Sequence, residues 1–156
     1  MKRLGYLLLF ILLILIDQIS KYWVMTKHIF YDNGSFFGIE LSFNRGISLG
    51  LFHSENNFWF SLLLLVIALT LIMFLWYTYQ MYQAHYQITA YVFVAAGAIS
   101  NFIDRLHYGK VIDFILFYWK SLSFPVFNVA DCWIFLGVFY ILCFQYQDSC
   151  RAFSKK

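Results

Sequence analysis

Four aspartates lie in or beside strongly apolar stretches of this sequence: Asp17, Asp104, Asp113 and Asp131. Two carboxylates that face each other across a wet gap share one proton, because like charges a few ångströms apart resist ionising together. The ionised member can take a proton from a water that attacks a carbonyl, while the protonated member hydrogen-bonds the developing oxyanion. The residue types therefore predict a two-aspartate hydrolytic site. Spacing alone does not say which two of the four aspartates form this site.

Some of the candidate residues also have a purely structural interpretation. Asp17 and Lys21 are four positions apart, which is the spacing of an ion pair on one helix face, and we interpret them as a brace. Asn101 and Arg105 share a face at the same spacing, and Arg105 could simply extend to lipid phosphates. Asp131 could be a first-turn carboxylate that the helix dipole favours. These alternatives stay open from the sequence alone.

Asp113 is the aspartate for which a structural role is hardest to find. It interrupts the apolar run at residues 111–117, and no basic residue is nearer to it than Lys110. An ionisable group kept in such surroundings usually marks function. The sequence therefore favours Asp113 as one member of any reactive pair.

The composition indicates that lipid solvates much of this chain. Its 156 residues are 62% hydrophobic and only 12% charged, and the mean hydropathy is +0.69. Soluble proteins carry about 25% charged residues, so one globular core cannot hide this much apolar surface. We expect a single membrane domain over residues 1–156, acting as a monomer. The net charge of +3 is too small and too scattered for nucleic-acid binding.

The three cysteines predict neither a disulfide framework nor a metal site. Cys132 and Cys143 would lie about 16 Å apart on one helix at 1.5 Å per residue, beyond disulfide reach. Cys150 lies in the basic C-terminal segment, and no metal-ligand spacing is present. We expect all three to be reduced, and we expect no metal ion and no cofactor.

Hydropathy predicts an all-α membrane protein with four transmembrane helices, at residues 4–25, 58–77, 86–104 and 130–146. The first resembles a secretory signal but continues for about 22 residues without a small-residue cleavage site, so we expect an uncleaved helix. Asn128 is placed to cap the fourth helix. The third is rich in small residues, which allow close helix packing.

The extracytoplasmic segment at about 28–57 is polar and predicts a small β-element between the first two helices. Asn33-Gly34 is a hairpin signal, and Ser35 to Phe43 mixes aromatic and β-branched residues at short period. A second segment, Lys110 to Trp119, is too short to span a bilayer, and we expect a strand or interfacial structure there.

An even number of helices places both termini on one side, and their basic residues favour the cytoplasm. The first helix then ends, the third ends and the fourth begins at the extracytoplasmic face. The polar residues of these helix ends and of the segment after the third helix should therefore meet in one layer: Asp17, Lys21, Asn101, Asp104, Arg105, Asp113, Asn128 and Asp131.

Several short motifs follow one another in the order typical of one known family. They are Asp17-Gln-Ile-Ser-Lys21, Asn44-Arg-Gly46, Asn101-Phe-Ile-Asp104-Arg105, Gly109-Lys-Val111-Ile-Asp113-Phe114 and Phe127-Asn128-Val-Ala130-Asp131. This succession, which covers nearly the whole chain, resembles the prolipoprotein signal peptidases (signal peptidase II). Those are four-helix intramembrane aspartic peptidases of the bacterial inner membrane. The resemblance implies cleavage of diacylglyceryl-modified prolipoproteins on the N-terminal side of the lipidated cysteine.

The resemblance also assigns roles to individual residues. It implies that Asp113 and Asp131 are the catalytic pair. It implies that four polar residues hold the substrate backbone: Asn44, Asn101, Arg105 and Asn128. It leaves five residues as structural support: Asp17, Lys21, Asp104, Gly46 and Gly109. The partners it implies are lipidated precursors and membrane lipids.

Two stretches depart from the family pattern. Ile47-Ser48-Leu49 stands where the family usually has Ala-Ala-Phe, and Ala96 and Ser100 replace two glycines. We expect this added bulk to lie along the path of the lipidated substrate and the chemistry to be retained, and the sequence leaves open whether the departures narrow the substrate range, as in a specialised paralogue. The alternative is a non-catalytic binding or chaperone-like protein for lipidated precursors, which would keep the polar groove without cleaving. A proton-coupled transporter would need polar residues across the whole bilayer, which the second helix lacks.

Overall fold

Four long helices and a small sheet make up the part of the chain that the computed structural model describes, which is residues 3–27, 29–32, 34, 36–46, 56–120 and 122–153, with side chains to residue 143. The helices are α1 (Arg3–Lys27), α2 (Asn57–Gln83), α3 (Thr89–Tyr108) and α4 (Val129–Phe153). They match the four predicted helices in number and order. The largest differences are at the C-terminal ends of α2 and α4, where no Gly or Pro stops the helix and polar residues continue it beyond the apolar run.

The β-structure is more extensive than the sequence predicted. Strands β1 (Tyr31–Asp32) and β2 (Phe37–Asn44) confirm the element between the first two helices, but β3 (Val111–Trp119) and β4 (Leu122–Ser123) join them in one antiparallel sheet. The sheet therefore combines both connecting segments. Strand β3 confirms the strand alternative expected at Lys110 to Trp119, whereas the pairing of the two segments in one sheet was not predicted. The reason is pairing between distant segments, with Asn44 opposite Val111 at the site end.

Helix α3 is the central element, because it packs against each of the other three helices. Gly97 lies so close to α4 that a Cβ there would collide with the carbonyl oxygen of Ala130. A Cβ on Gly137 would lie 2.6 Å from the carbonyl oxygen of Ala90. The small residues of α3 thus allow the close helix packing that the sequence predicted.

Two of the described helices, α1 and α2, are long and apolar enough to span a membrane, and α4 carries a shorter apolar stretch, Val129–Cys143. On α2 only Leu71 and Thr78 are buried, and large apolar side chains face outward along the rest of it. A helix with so little buried surface needs lipid or a partner around it.

Candidate active site

Asp113 and Asp131 come from different elements that the backbone brings together. Asp113 lies on β3 opposite Ser42 of β2, and Asp131 lies in the first turn of α4. The segment before α4 docks on β3, where the N–H of Ile115 donates to the carbonyl oxygen of Phe127 at 2.7 Å. That contact fixes the residues just before α4 beside the strand that carries Asp113.

Asn128 links the two carboxylates. Its Oδ1 accepts from the N–H of Asp131 at 3.0 Å, and its own N–H donates to Asp131 Oδ2 at 3.3 Å. This reciprocal arrangement caps α4, as the sequence predicted. The Nδ2 of Asn128 donates to Asp113 Oδ1 at 2.6 Å, and the residue is fully buried. Both amide hydrogens of Asn128 have protein acceptors, which favours support of the pair over contact with a substrate.

The surroundings of Asp113 favour retention of a proton. The pKa of Asp113 is raised to about 6, first by burial and second by the nearby charge of Asp131. Hydrogen bonds from Asn128 and Asn44 act in the opposite direction. Asp131 accepts from Asn101 Nδ2 at 2.8 Å. The two carboxylates are therefore electrostatically coupled and supplied with amide donors.

The other two aspartates belong to a buried ion-pair brace. Lys21 Nζ lies 2.7 Å from Asp17 Oδ2 and 2.7 Å from Asp104 Oδ2, and both carboxylates are fully buried. Asp17 Oδ1 also accepts from the N–H of Ala130 at 2.7 Å. The predicted pairing of Asp17 with Lys21 is confirmed, and it extends to Asp104 and the start of α4.

Sequence reasoning missed two polar residues of this brace. Ser100 Oγ donates to Asp17 Oδ2 at 2.7 Å, and Gln18 Nε2 donates to Asp104 Oδ1 at 2.8 Å. The available signal for Gln18 was its place directly after Asp17, at the end of the long apolar run of α1.

The structure also corrects the expectation for two of the departures. Ser100 and Ala96 are both fully buried; Ser100 bonds to α1, and Ala96 packs in a cluster with Tyr6 and Leu13. They therefore face α1 and do not line the cavities that border Asp113 and Asp131. Ile47-Ser48-Leu49 lies outside the described residues.

Arg105 is held inside the protein and does not extend to the membrane surface. It is 8% exposed, and its guanidinium donates to the carbonyl oxygens of Asn101 at 3.0 Å and Gly46 at 2.6 Å. The N–H of Gly46 in turn donates to Asn44 Oδ1 at 2.8 Å. Gly109, with φ of 68°, ends α3 in the left-handed conformation that favours glycine.

Two cavities meet at the carboxylate pair, and both are lined by Asp113, Asp131 and Asn44. The larger, about 640 Å³, is walled by apolar side chains of β3, α4 and the segment 124–127. The smaller, about 150 Å³, adds Asn101 and Arg105. No group of three or more His, Cys, Asp or Glu side chains is arranged to hold a metal ion in the described ranges. The site can therefore present a carboxylate pair to a ligand with both apolar and polar parts.

Known proteins are similar in sequence to this chain over most of its length. A family model described as signal peptidase (SPase) II matches residues 9–147. A lipoprotein signal peptidase of Rickettsia canadensis (strain McKiel) is 35% identical over 151 residues, which is 94% of this chain and 76% of the relative. One of Wigglesworthia glossinidia brevipalpis is 36% identical over 141 residues, which is 88% of this chain and 91% of the relative.

Solved structures share the fold. One bacterial membrane enzyme, determined by the in meso method at 2.3 Å, has a TM-score of 0.78 at 23% identity, covering 95% of this chain and 91% of that one. Another, at 1.9 Å, has a TM-score of 0.72 at 25% identity, covering 94% and 96%. The family model, which matches most of the chain, and the sequence relatives together identify this chain as a member of the signal peptidase II family of proteases.

Proposed function

We propose that this protein is an intramembrane aspartic endopeptidase that removes the signal peptide from diacylglyceryl-modified prolipoproteins. Cleavage would fall on the N-terminal side of the lipidated cysteine. Membership of the signal peptidase II family supports signal-peptide removal. The observation that carries the aspartic chemistry is the pair Asp113 and Asp131, bridged by the buried Asn128 and opening into a cavity.

In the proposed reaction the pair holds one proton and one negative charge. The ionised carboxylate takes a proton from a water, whose oxygen forms a bond to the scissile carbonyl carbon. The protonated carboxyl donates to the oxygen that becomes negative. When the C–N bond breaks, the proton that the carboxylate took from the water passes to the leaving amine. The pair then again holds one proton and one negative charge. The pKa of Asp113, raised to about 6, supports retention of its proton to a higher pH than an ordinary aspartate allows.

The two cavities support a substrate with a lipid chain and a peptide backbone. The apolar walls of the larger cavity suit an acyl chain or apolar signal-peptide side chains. In the smaller one, the Nε of Arg105 has no hydrogen-bond partner in the described part of the chain. Arg105, Asn44 and Asn101 are therefore our candidates for backbone contacts, and the contacts of Asn128 favour a supporting role for that residue.

We further propose that all four helices span the bacterial inner membrane, with both termini in the cytoplasm and the site near the extracytoplasmic face. The support is that the ionisable side chains of α1, α3 and α4 meet at one end of the bundle. Reporter fusions after Lys156 and in the α2–α3 turn, near His85, should then report cytoplasm. An extracytoplasmic C-terminus would contradict this topology.

The activity is tested by incubating the purified protein with a diacylglyceryl-modified precursor and identifying the shortened product by mass spectrometry. Wild type should cleave, and Asp113→Asn and Asp131→Asn should remain inserted without cleaving. Wild type that binds the precursor and leaves it intact would favour the alternative, a non-catalytic member of the fold.

A further inference from the structure

Three asparagine side chains surround the carboxylate pair: Asn44, Asn101 and Asn128. An asparagine amide has an accepting end, Oδ1, and a donating end, Nδ2, and its orientation has to be decided from its partners. The orientation matters here because an N–H stabilises a carboxylate, whereas a carbonyl oxygen repels it.

Lys21 determines the orientation of Asn101. A lysine ammonium can donate but cannot accept, and Lys21 Nζ lies 2.9 Å from Asn101 Oδ1. Asn128 Nδ2 also donates to the same oxygen, at 3.0 Å. Reversing the Asn101 amide would set its N–H groups against two donors. Its Nδ2 must therefore face Asp131, to which it donates at 2.8 Å.

The other two amides are oriented by backbone N–H groups, which also cannot accept. The N–H of Asp131 donates to Asn128 Oδ1 at 3.0 Å, which leaves Nδ2 for Asp113 at 2.6 Å. The N–H of Gly46 donates to Asn44 Oδ1 at 2.8 Å, and the side chain of Asn44 hydrogen-bonds Asp113. All three amides thus direct their donors at the pair.

We propose that these fixed donors orient all three amides so that the pair meets N–H groups, and that Lys21 is the positioning residue for Asn101. This inference rests on the proposed function, because it explains how a buried site keeps one carboxylate ionised. Lys21 is bound in the brace at 2.7 Å from both Asp17 and Asp104. The brace would therefore serve catalysis through the orientation of a neutral amide.

The decisive variant is Asn101→Asp, which replaces the donor facing Asp131 with an acceptor of nearly the same shape. Asn101→Leu is the matched control, since it neither donates nor accepts. The charged groups around this position on the packed elements are Asp17 and Lys21 of α1, Asp104 and Arg105 of α3, Asp113 of β3 and Asp131 of α4.

At pH 7.5 we expect kcat of Asn101→Asp to be lower than that of wild type by about a hundredfold, the usual scale for loss of one preorganised donor. At pH 5 the new carboxyl can carry a proton and donate it, so the ratio of variant to wild-type kcat should rise at least about tenfold. The ratio for Asn101→Leu, which has no group to protonate at this position, should rise much less than that for Asn101→Asp. Wild type that fails to cleave would refute the proposed function itself, which keeps the two failures distinguishable.

A ratio for Asn101→Asp that stays flat or falls toward pH 5 would overturn the inference. So would unfolding of this variant at every pH, because an isosteric side chain beside Lys21 should be tolerated. Asn128→Asp supplies an independent check, since it can still cap α4 but faces Asp113 with an acceptor, and it should show the same recovery at acid pH.

The role of Lys21 is tested in the double variant Asp17→Asn/Lys21→Gln. This variant keeps the net charge of the brace, and the amide oxygen that replaces the Asp17 carboxylate can still accept from the N–H of Ala130. The glutamine introduced for Lys21 can present either end of its amide to Asn101, so only the donor from Asn128 still favours the original orientation. We expect kcat to fall about tenfold with KM unchanged, because a small displacement of the Asn101 amide beside the pair readily costs that much in rate. A kcat equal to that of wild type would refute the positioning role of Lys21.

Discussion

Two pairs of aspartates lie in the same layer of this protein, but in the described part of the chain only one pair forms ion pairs with a cation. Asp17 and Asp104 are each 2.7 Å from Lys21 and are fully buried. Asp113 and Asp131 border the cavities and receive amide donors in place of a cation. A charged group held by an opposite charge is fixed and structural, whereas a coupled pair held by neutral donors can exchange a proton.

The surroundings of chemically identical aspartates therefore determine what each one can do. In the brace every carboxylate oxygen accepts from an N–H, an ammonium or a hydroxyl of the protein. At the pair, burial and mutual repulsion raise the pKa of Asp113 to about 6. The brace in turn holds the N–H of Ala130, one residue before Asp131, so it helps to fix the position of one of the two proposed catalytic residues.

The largest effect should follow from neutralising one member of the proposed catalytic pair. Asp131→Asn retains the shape of the side chain but cannot exchange a proton, and general acid–base groups contribute about 10²–10⁴-fold in rate. We expect product formation to fall by at least about a thousandfold in a precursor-cleavage assay. Unchanged circular dichroism and membrane insertion serve as the control for folding.

Breaking the brace should act on stability first. Lys21→Met leaves Asp17 and Asp104 buried without their cation, and removing one partner of a buried ion pair costs about 3–5 kcal/mol. We expect a clearly lower thermal unfolding midpoint in detergent. An unchanged midpoint would show that the brace contributes nothing to folding and would remove the contrast between the two pairs.

A smaller effect should follow from separating α3 and α4. Gly97→Ala places a methyl group against the carbonyl oxygen of Ala130, and overpacking of this kind costs about 1–3 kcal/mol. Because Ala130 precedes Asp131, turnover should fall as well. Gly38→Ala, whose Cβ would lie 3.2 Å from the carbonyl oxygen of Tyr31, is a control at a crowded glycine in the sheet, and it should keep more activity.

The smallest effect is expected at Ser100, one of the positions where this chain departs from the family pattern. Ser100→Gly restores the family glycine and removes one donor to Asp17. A net hydrogen bond contributes about 0.5–1.5 kcal/mol, or somewhat more to a charged group. We expect a slightly lower unfolding midpoint and nearly unchanged cleavage, because Lys21 and the N–H of Ala130 still hold Asp17. A strong loss of activity would contradict this.

Local patterns predicted much of this structure, and distant pairing explains what they missed. Hydropathy alone gave four helices, and the i, i+4 spacing of Asp17 and Lys21 gave their ion pair. Neither could show that β3 joins β2, because strand partners are chosen by tertiary packing. For the same reason Asp104 could not be assigned to the brace, nor Asn128 to a contact with Asp113, before both elements were in place.

One paired measurement tests the distinction between the brace and the reactive pair most directly: the thermal unfolding midpoint and turnover of Asp113→Asn and Asp104→Asn at several pH values. The pKa of Asp113 is raised from 3.8 to about 6, so the folded chain binds this proton more tightly than the unfolded chain. The stability cost of ionising Asp113 therefore accumulates as pH rises from 3.8 to about 6 and persists above it. Asp113→Asn removes that cost.

At pH 7.5 the account predicts that Asp113→Asn makes no product and unfolds at the same temperature as wild type or higher. Asp104→Asn should unfold at a lower temperature and still turn over substrate where it remains folded. The opposite result, an active Asp113→Asn beside an Asp104→Asn that is folded and inactive, would contradict the assignment of the reactive pair.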